Sequence, residues 1–217
     1  MLRPLALFGG TFDPVHLGHL RAVWEAAEIL QAEVKLMPAR LPPHRPPPVA
    51  SAPQRLAMLR AVLVGQGRLG LDTRELDREG PSWSVDSLLE VRREVGFQRP
   101  LVLLLGSDAF VGLPSWHRWR QLFELAHLGV LARPGATLQF CEELENEIAA
   151  RHRNDASALL RQPWGGVLTI PITALDISAT RIRTMLQAGQ EPRFLLPDAL
   201  LADPQLLEVY RHREAIC

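Results

Sequence analysis

Two histidines three residues apart, His16 and His19, close the stretch Gly-Gly-Thr-Phe-Asp-Pro-Val-His-Leu-Gly-His-Leu that runs from Gly9 to Leu20. An apolar run, Leu5 to Phe8, stands before it with the length and flanks of a buried strand. Val23, Ala26, Ala27 and Leu30 follow at helical spacing. The stretch therefore reads as a strand-to-helix turn. Gly9 and Gly10 let backbone approach a ligand closely, because no side chain intervenes. Free N–H groups at the start of the next helix favour an anion. Gly18 keeps the turn between the histidines open. With a helix beginning near Gly18, both imidazoles can point at the anion.

A second anion site is expected at Ile177-Ser-Ala-Thr-Arg-Ile-Arg183. Ser178 reads as an N-cap, and Ile182, Met185 and Leu186 form an apolar stripe. Two hydroxyls, Ser178 and Thr180, then converge with a helix N-terminus and an arginine on phosphate. A well-capped basic helix is the plainer alternative. Between these sites lies Leu101 to Leu105, a buried strand ending at Gly106-Ser107-Asp108. Asp108 could accept a hydrogen bond from a ribose hydroxyl or shape a metal–phosphate site, or simply cap the next helix.

The first stretch resembles the H-x-G-H signature of the nucleotidyltransferase superfamily, in its T/H-x-G-H adenylyltransferase branch. Four more segments resemble nicotinate-nucleotide adenylyltransferases, and together the five span nearly the whole chain. Pro42-Pro43-His44-Arg45 is similar to that family's Pro-Pro-His-Lys loop, with arginine in place of lysine; on composition alone it is a stiff connector. Ser82-Trp83-Ser84-Val85-Asp86-Ser87-Leu88 is similar to its Ser-Tyr-Thr-x-Asp-Thr-Leu segment. Gly106-Ser107-Asp108 with the later Trp116 matches its Gly-x-Asp and tryptophan. Ile177 to Arg183 is similar to Ile-Ser-Ser-Thr-x-Ile-Arg, with Ala179 replacing one serine.

The resemblance implies transfer of AMP from ATP to nicotinate mononucleotide, releasing pyrophosphate. It implies ATP binding by Gly9, Gly10, Thr11, His16, His19, Gly106, Asp108, Ser178, Thr180 and Arg183. His16, His19 and Arg183 would be the catalytic set. The acceptor would meet His44, Arg45, amides near Ser84, the ring of Trp116 stacked on the pyridine, and the amide of His117. Mg²⁺ would bridge the ATP phosphates. No carboxylate cluster suggests a protein-built metal cage, so no metal-ligating residue is assigned. Nicotinamide mononucleotide or pantetheine phosphate as acceptor, and a non-catalytic nucleotide-binding regulatory module, are the alternatives.

These groups must be positioned by an α/β fold. Strand, helix, strand in this rhythm predicts a Rossmann-like, doubly wound parallel sheet with a small C-terminal helical extension. Expected strands are Leu5–Phe8, Val34–Met37, Leu69–Asp72, Leu101–Leu105, Leu128–Leu131 and Gly166–Ile170. Expected helices cover Leu20–Ile29, Ala52–Val64, residues 82 to 95 capped by Ser82 or Ser84, Ser115–Ala126, Phe140–Arg161 with a charged interruption, and Pro204–His212. Glu75–Pro81 reads as a polar turn. The 217 residues are read as a single nucleotidyltransferase domain, with 172–217 its C-terminal segment.

Lys+Arg and Asp+Glu are equal at 24 each, so no global field draws the chain to nucleic acid or membrane. Cys141 and Cys217 lack metal spacing and suit a reducing cytoplasm. No apolar run nears the ~18 residues of a membrane span, and residues before the first turn do not form a signal peptide.

Overall fold

A computed structural model of the chain describes residues 2–42, 46–132 and 139–211. In chain order these form β1 (Leu5–Gly10), α1 (Leu17–Ile29), β2 (Glu33–Pro38), α2 (Ala52–Leu63), β3 (Leu69–Leu71), α3 (Arg74–Asp77) and α4 (Ser84–Val95). Then come β4 (Leu101–Gly106), α5 (Ser107–Val111), α6 (Leu122–Leu125), β5 (His127–Ala132), α7 (Glu142–Arg151) and α8 (Ala156–Leu159). The chain finishes with β6 (Val167–Pro171), α9 (Ala179–Gln187) and α10 (Asp198–Leu201). Short 3-10 turns cover Leu113–Ser115, Trp119–Gln121 and Pro204–Tyr210.

Among the described residues the six strands form one parallel sheet in the order β3-β2-β1-β4-β5-β6. Side chains alternate across a strand, so each strand feeds two cores. Leu5 and Leu7 of β1 join Leu101, Leu103 and Leu105 of β4 beneath α4, α6 and α7. Ala6, Val102 and Leu104 face the other way, toward α1, α2 and α9. Burial on both faces is why these strands are continuous apolar runs. The strand order reverses between β1 and β4, whose carboxyl ends flank the crevice where such sheets bind ligands.

Several local expectations change. Residues 74–77 are not a turn but the helical turn α3, because buried Glu75 accepts a 2.6 Å hydrogen bond from Ser87 Oγ. Neither Ser82 nor Ser84 caps α4: Trp83 occupies the cap position and its side chain does not cap the helix, and Ser82 Oγ instead accepts from Arg40 N. The helix expected over 115–126 is broken. Arg118 adopts φ 53°, a left-handed conformation that cannot propagate a helix, leaving Trp116 and His117 between 3-10 turns. In α2 the buried positions are Arg55, Met58, Leu59 and Val62, whereas Val64 is exposed. The last segment, 204–210, is a 3-10 turn rather than an α-helix.

Candidate active site

The Gly9–Leu20 stretch leaves the carboxyl end of β1 and enters α1 at Leu17, one residue earlier than a start at Gly18. His16 is the N-cap. Its Nδ1 accepts the His19 amide at 3.3 Å, and His19 Nδ1 accepts the His16 amide at 3.3 Å. This is a capping box built from two imidazoles instead of the usual hydroxyl and carboxamide. The rings stack at 3.6 Å between centroids with an interplanar angle of 21°. A neutral ring that accepts at Nδ1 carries its proton on Nε2, so each ring's donor is turned away from the backbone it caps. Burial pushes the His16 pKa down to about 4, which keeps that ring neutral near pH 7. His16 is only 6% exposed, so the half-buried His19 is the more accessible of the two.

Two of the amides expected to be free for an anion are engaged. Leu17 N donates to Leu195 O at 3.0 Å, and His19 N is taken by His16. The imidazole donors, rather than the helix amides alone, are what the turn offers. Gly18 has a concrete reason: a Cβ there would lie 3.1 Å from the His16 ring. At Gly10 a Cβ would meet the Phe12 ring at 2.9 Å. Phe12 itself sits at φ 52°, its ring buried and set edge-on to His19 at 5.3 Å. Around Gly9 and Gly106 a Cβ would meet nothing closer than 4.0 Å, so both strand ends are open to an approaching ligand.

The two anion motifs, 170 residues apart, meet. Ser178 caps α9 by accepting the Arg181 amide, as its sequence position predicts. Arg183, one turn on, donates through Nη1 to Asp13 O at 2.7 Å and through Nη2 to Thr180 Oγ1 at 3.3 Å. The Arg183 guanidinium thus bridges the second motif's hydroxyl and the first motif's backbone. Ser178 and Thr180 remain exposed beside it.

At the β4 end, Gly106 caps α5 and Asp108 lies exposed in its first turn, so the cap role considered for Asp108 belongs to Gly106. Ser107 Oγ donates to Leu131 O, holding this end against β5. Near the start of α4, Trp83 and His117 pack with ring centroids 5.0 Å apart, and Arg118 reaches Asp86 at 3.5 Å. The segments that carry Ser84 and Trp116–His117 are therefore brought together, although the Asp86–Arg118 pair spans 32 residues of sequence. Trp116 is half-buried. His44 and Arg45 lie outside the described residues, as does Pro43. Among the described residues no group of three or more His, Cys, Asp or Glu could hold a metal ion.

Comparison with known proteins decides the relationship. Residues 7–185 match the cytidylyltransferase-like family. A probable nicotinate-nucleotide adenylyltransferase of Methylococcus capsulatus is 48% identical over 91% of this chain and 94% of its own length. One from Dechloromonas aromatica is 45% identical over 98% of this chain and 100% of its own length. The chain belongs to the nicotinate-nucleotide adenylyltransferase family. Its fold is also that of the Plasmodium falciparum nicotinic acid mononucleotide adenylyltransferase complexed with NaAD. That likeness has a TM-score of 0.66 at 14% identity and covers 92% of this chain and 95% of that one.

Within this family member, Asp13 and Arg55, which the motifs do not assign to the site, tie its segments together, and Tyr210, a docking residue by its place in an apolar run, joins them. Asp13 is 6% exposed and accepts from Val49 N at 2.8 Å, Ala50 N at 3.0 Å and Tyr210 Oη at 2.7 Å. Fully buried Arg55 donates to Thr11 O, Ala50 O and Arg40 O. A signal existed for Arg55 and for Tyr210. Arg55 occupies a core position of α2, three and four residues before Met58 and Leu59. Tyr210 is the chain's sole tyrosine and stands in an apolar run. Their partners, however, are too distant in sequence to be inferred.

Proposed function

We propose that this chain transfers AMP from ATP to nicotinate mononucleotide, giving deamido-NAD and pyrophosphate. The observation that carries the reading is the junction at Arg183, where the motif at the end of β1 and the motif heading α9 share one guanidinium. Relatives of the same name at 45–48% identity over nearly the full chain support the acceptor.

In this reading ATP lies across the β1–β4 crevice. The acceptor's phosphate oxygen attacks the α-phosphorus in line. A new P–O bond forms, the bond from the α-phosphorus to the bridging oxygen breaks, and pyrophosphate leaves with the electron pair. A phosphate monoester is already anionic, so no strong base or covalent nucleophile is needed; the protein positions groups and stabilises charge. His19 and His16 would donate from Nε2 to the α-phosphoryl oxygens. Ser178, Thr180 and Arg183 would hold the β- and γ-phosphates. Gly9, Gly10 and Thr11 would line the phosphates, and Gly106 and Asp108 the ribose.

The acceptor's ring would stack on Trp116, its carboxylate meeting amides near Ser84 and His117. His44 and Arg45 would approach its phosphate. Mg²⁺ carried in by ATP would neutralise charge on the triphosphate. In this reading the ion is held mainly by phosphate and water, and Asp108 would help to shape its site. A cytoplasmic location is part of the proposal; the described residues contain no helix long and apolar enough to cross a membrane.

A coupled pyrophosphate-release assay tests the reading, with ATP and either nicotinate mononucleotide, nicotinamide mononucleotide or pantetheine phosphate as acceptor. The expected result is turnover with the first and a much lower kcat/KM with the second. Preference for another acceptor, or no turnover with any, overturns it.

A further inference from the structure

The acceptor loop leaves β2 at Pro38 and returns at Ala50, and both of its ends are fastened by buried side chains. Arg55 grips Arg40 O at 3.4 Å on the outgoing side and Ala50 O at 3.3 Å on the return. The same guanidinium holds Thr11 O at 2.8 Å, inside the turn after β1. From that turn the Asp13 carboxylate takes the amides of Val49 and Ala50, one on each oxygen. Tyr210, contributed by the last turn of the chain, donates its hydroxyl to Asp13 Oδ1. Arg183 lies 3.7 Å from Asp13 Oδ2 and holds the Asp13 carbonyl. The outgoing end is tied further: Arg40 N donates to Ser82 Oγ and Ser82 N to Leu41 O, beside the start of α4.

Resting on the proposed reaction, we infer that Asp13, locked by Tyr210, is a positioning residue that registers the acceptor loop against the ATP turn. A carboxylate suits this because it offers acceptors only, and both oxygens face donors. Asn in its place would set an NH₂ group against a backbone N–H. The hydroxyl of Tyr210 donates to the same oxygen that takes the Ala50 amide and so helps to fix the carboxylate's rotation. Neither Asp13 nor Tyr210 needs to touch substrate. Their effect is on the two described ends of the loop, Arg40 with Leu41 and Val49 with Ala50, and so on the acceptor, while the ATP contacts of His19 and Ser178 stay in place.

The experiment compares wild type with Tyr210→Phe and Asp13→Asn, using the full chain. Tyr210→Phe should fold, keep kcat and the KM for ATP within about twofold, and raise the KM for nicotinate mononucleotide about tenfold, as befits loss of one hydrogen bond to a charged group. Asp13→Asn should raise the same KM further. Amide hydrogen exchange at Val49 and Ala50 should quicken in both variants, a readout that needs no turnover. Equal changes in both KM values, or unchanged exchange at Val49 and Ala50, would overturn the positioning role. An inactive wild type with tightly protected Val49 and Ala50 amides would refute the proposed reaction while leaving the clamp itself standing.

Discussion

At the scale of single residues, the two imidazoles do structural and chemical work with opposite edges. Nδ1 of each closes the helix cap, and Nε2 of each carries the neutral ring's proton. Replacing His19 by Ala removes one such donor and half of the cap. Loss of one preorganised oxyanion donor costs about 10²–10³ in kcat, while the KM for ATP should change little. Steady-state kinetics with circular dichroism as the folding control checks this, and near-normal kcat would remove His19 from the chemistry. Gly18→Ala is a subtler probe. The added methyl would press on the His16 ring at 3.1 Å, with Ile177 on its other side at 3.6 Å. The helix should tolerate alanine well, so stability should hold while kcat drops, because the imidazole pair is displaced. A variant as active as wild type would mean that the ring pair tolerates the shift.

At the scale of elements, β5 and the turn before β6 are joined by a buried histidine. His127 Nδ1 accepts the Gly166 amide at 3.0 Å, and Nε2 faces Gln162 O at 2.8 Å. Burial pushes its pKa down to about 4, and the neighbouring Arg92 and Arg153 charges act in the same direction. The native state therefore refuses a proton that the unfolded chain accepts near the ordinary value of 6.5. Above that value both states are neutral and no stability is lost. As pH falls from about 6.5 toward 4, the unfolded state gains protons first and folding weakens. The loss for His127 is on the order of 3 kcal/mol and levels off below the folded pKa. His16 adds a loss of the same sign in the same window. Urea unfolding at pH 7 and pH 4.5 measures it. His127→Gln keeps an acceptor and a donor at the site without a titrating group, so its pH dependence should be shallower than that of wild type. Identical slopes would exclude His127 as an acid-sensitive joint.

On the scale of the whole molecule, the turn after the first strand is closed by residues from the last described quarter of the chain. The turn after β1 is held by Tyr210 and Arg183, and α1 starts under the carbonyl of Leu195. Leu207 and Tyr210 are each 1% exposed in the core that also holds Val34, Leu36 and Met58. The segment up to Tyr210 therefore contributes to that core. Leu207→Ala should destabilise the whole molecule by about 3 kcal/mol, the usual cost of emptying a buried leucine site. A single cooperative transition moved to lower urea concentration is the expected result. Loss of the tail alone, with the sheet's transition unmoved, would show it to be an independent unit.

What the sequence by itself determined was whatever is written in contiguous residues. Leu5–Phe8 and Leu101–Leu105 are strands because unbroken apolar runs bounded by glycine suit a sheet covered on both faces. Val23, Ala26, Ala27 and Leu30 mark the buried face of α1, and Ser178 marks the start of α9, since helical period and capping are local. The pair His16 and His19 and the motif at Ser178–Arg183 could be found for the same reason. Only the tertiary structure decided the rest. Trp116 and His117 left their expected helix because Arg118 takes a left-handed backbone, an energy that periodicity does not register. The helix-start amides at Leu17 and His19 were claimed by Leu195 and His16. Asp13 met Val49, Ala50 and Tyr210, partners as far as 197 residues away. Hydrogen bonds of that span depend on how the sheet brings its carboxyl edge together, and a linear pattern carries no record of distance across a fold.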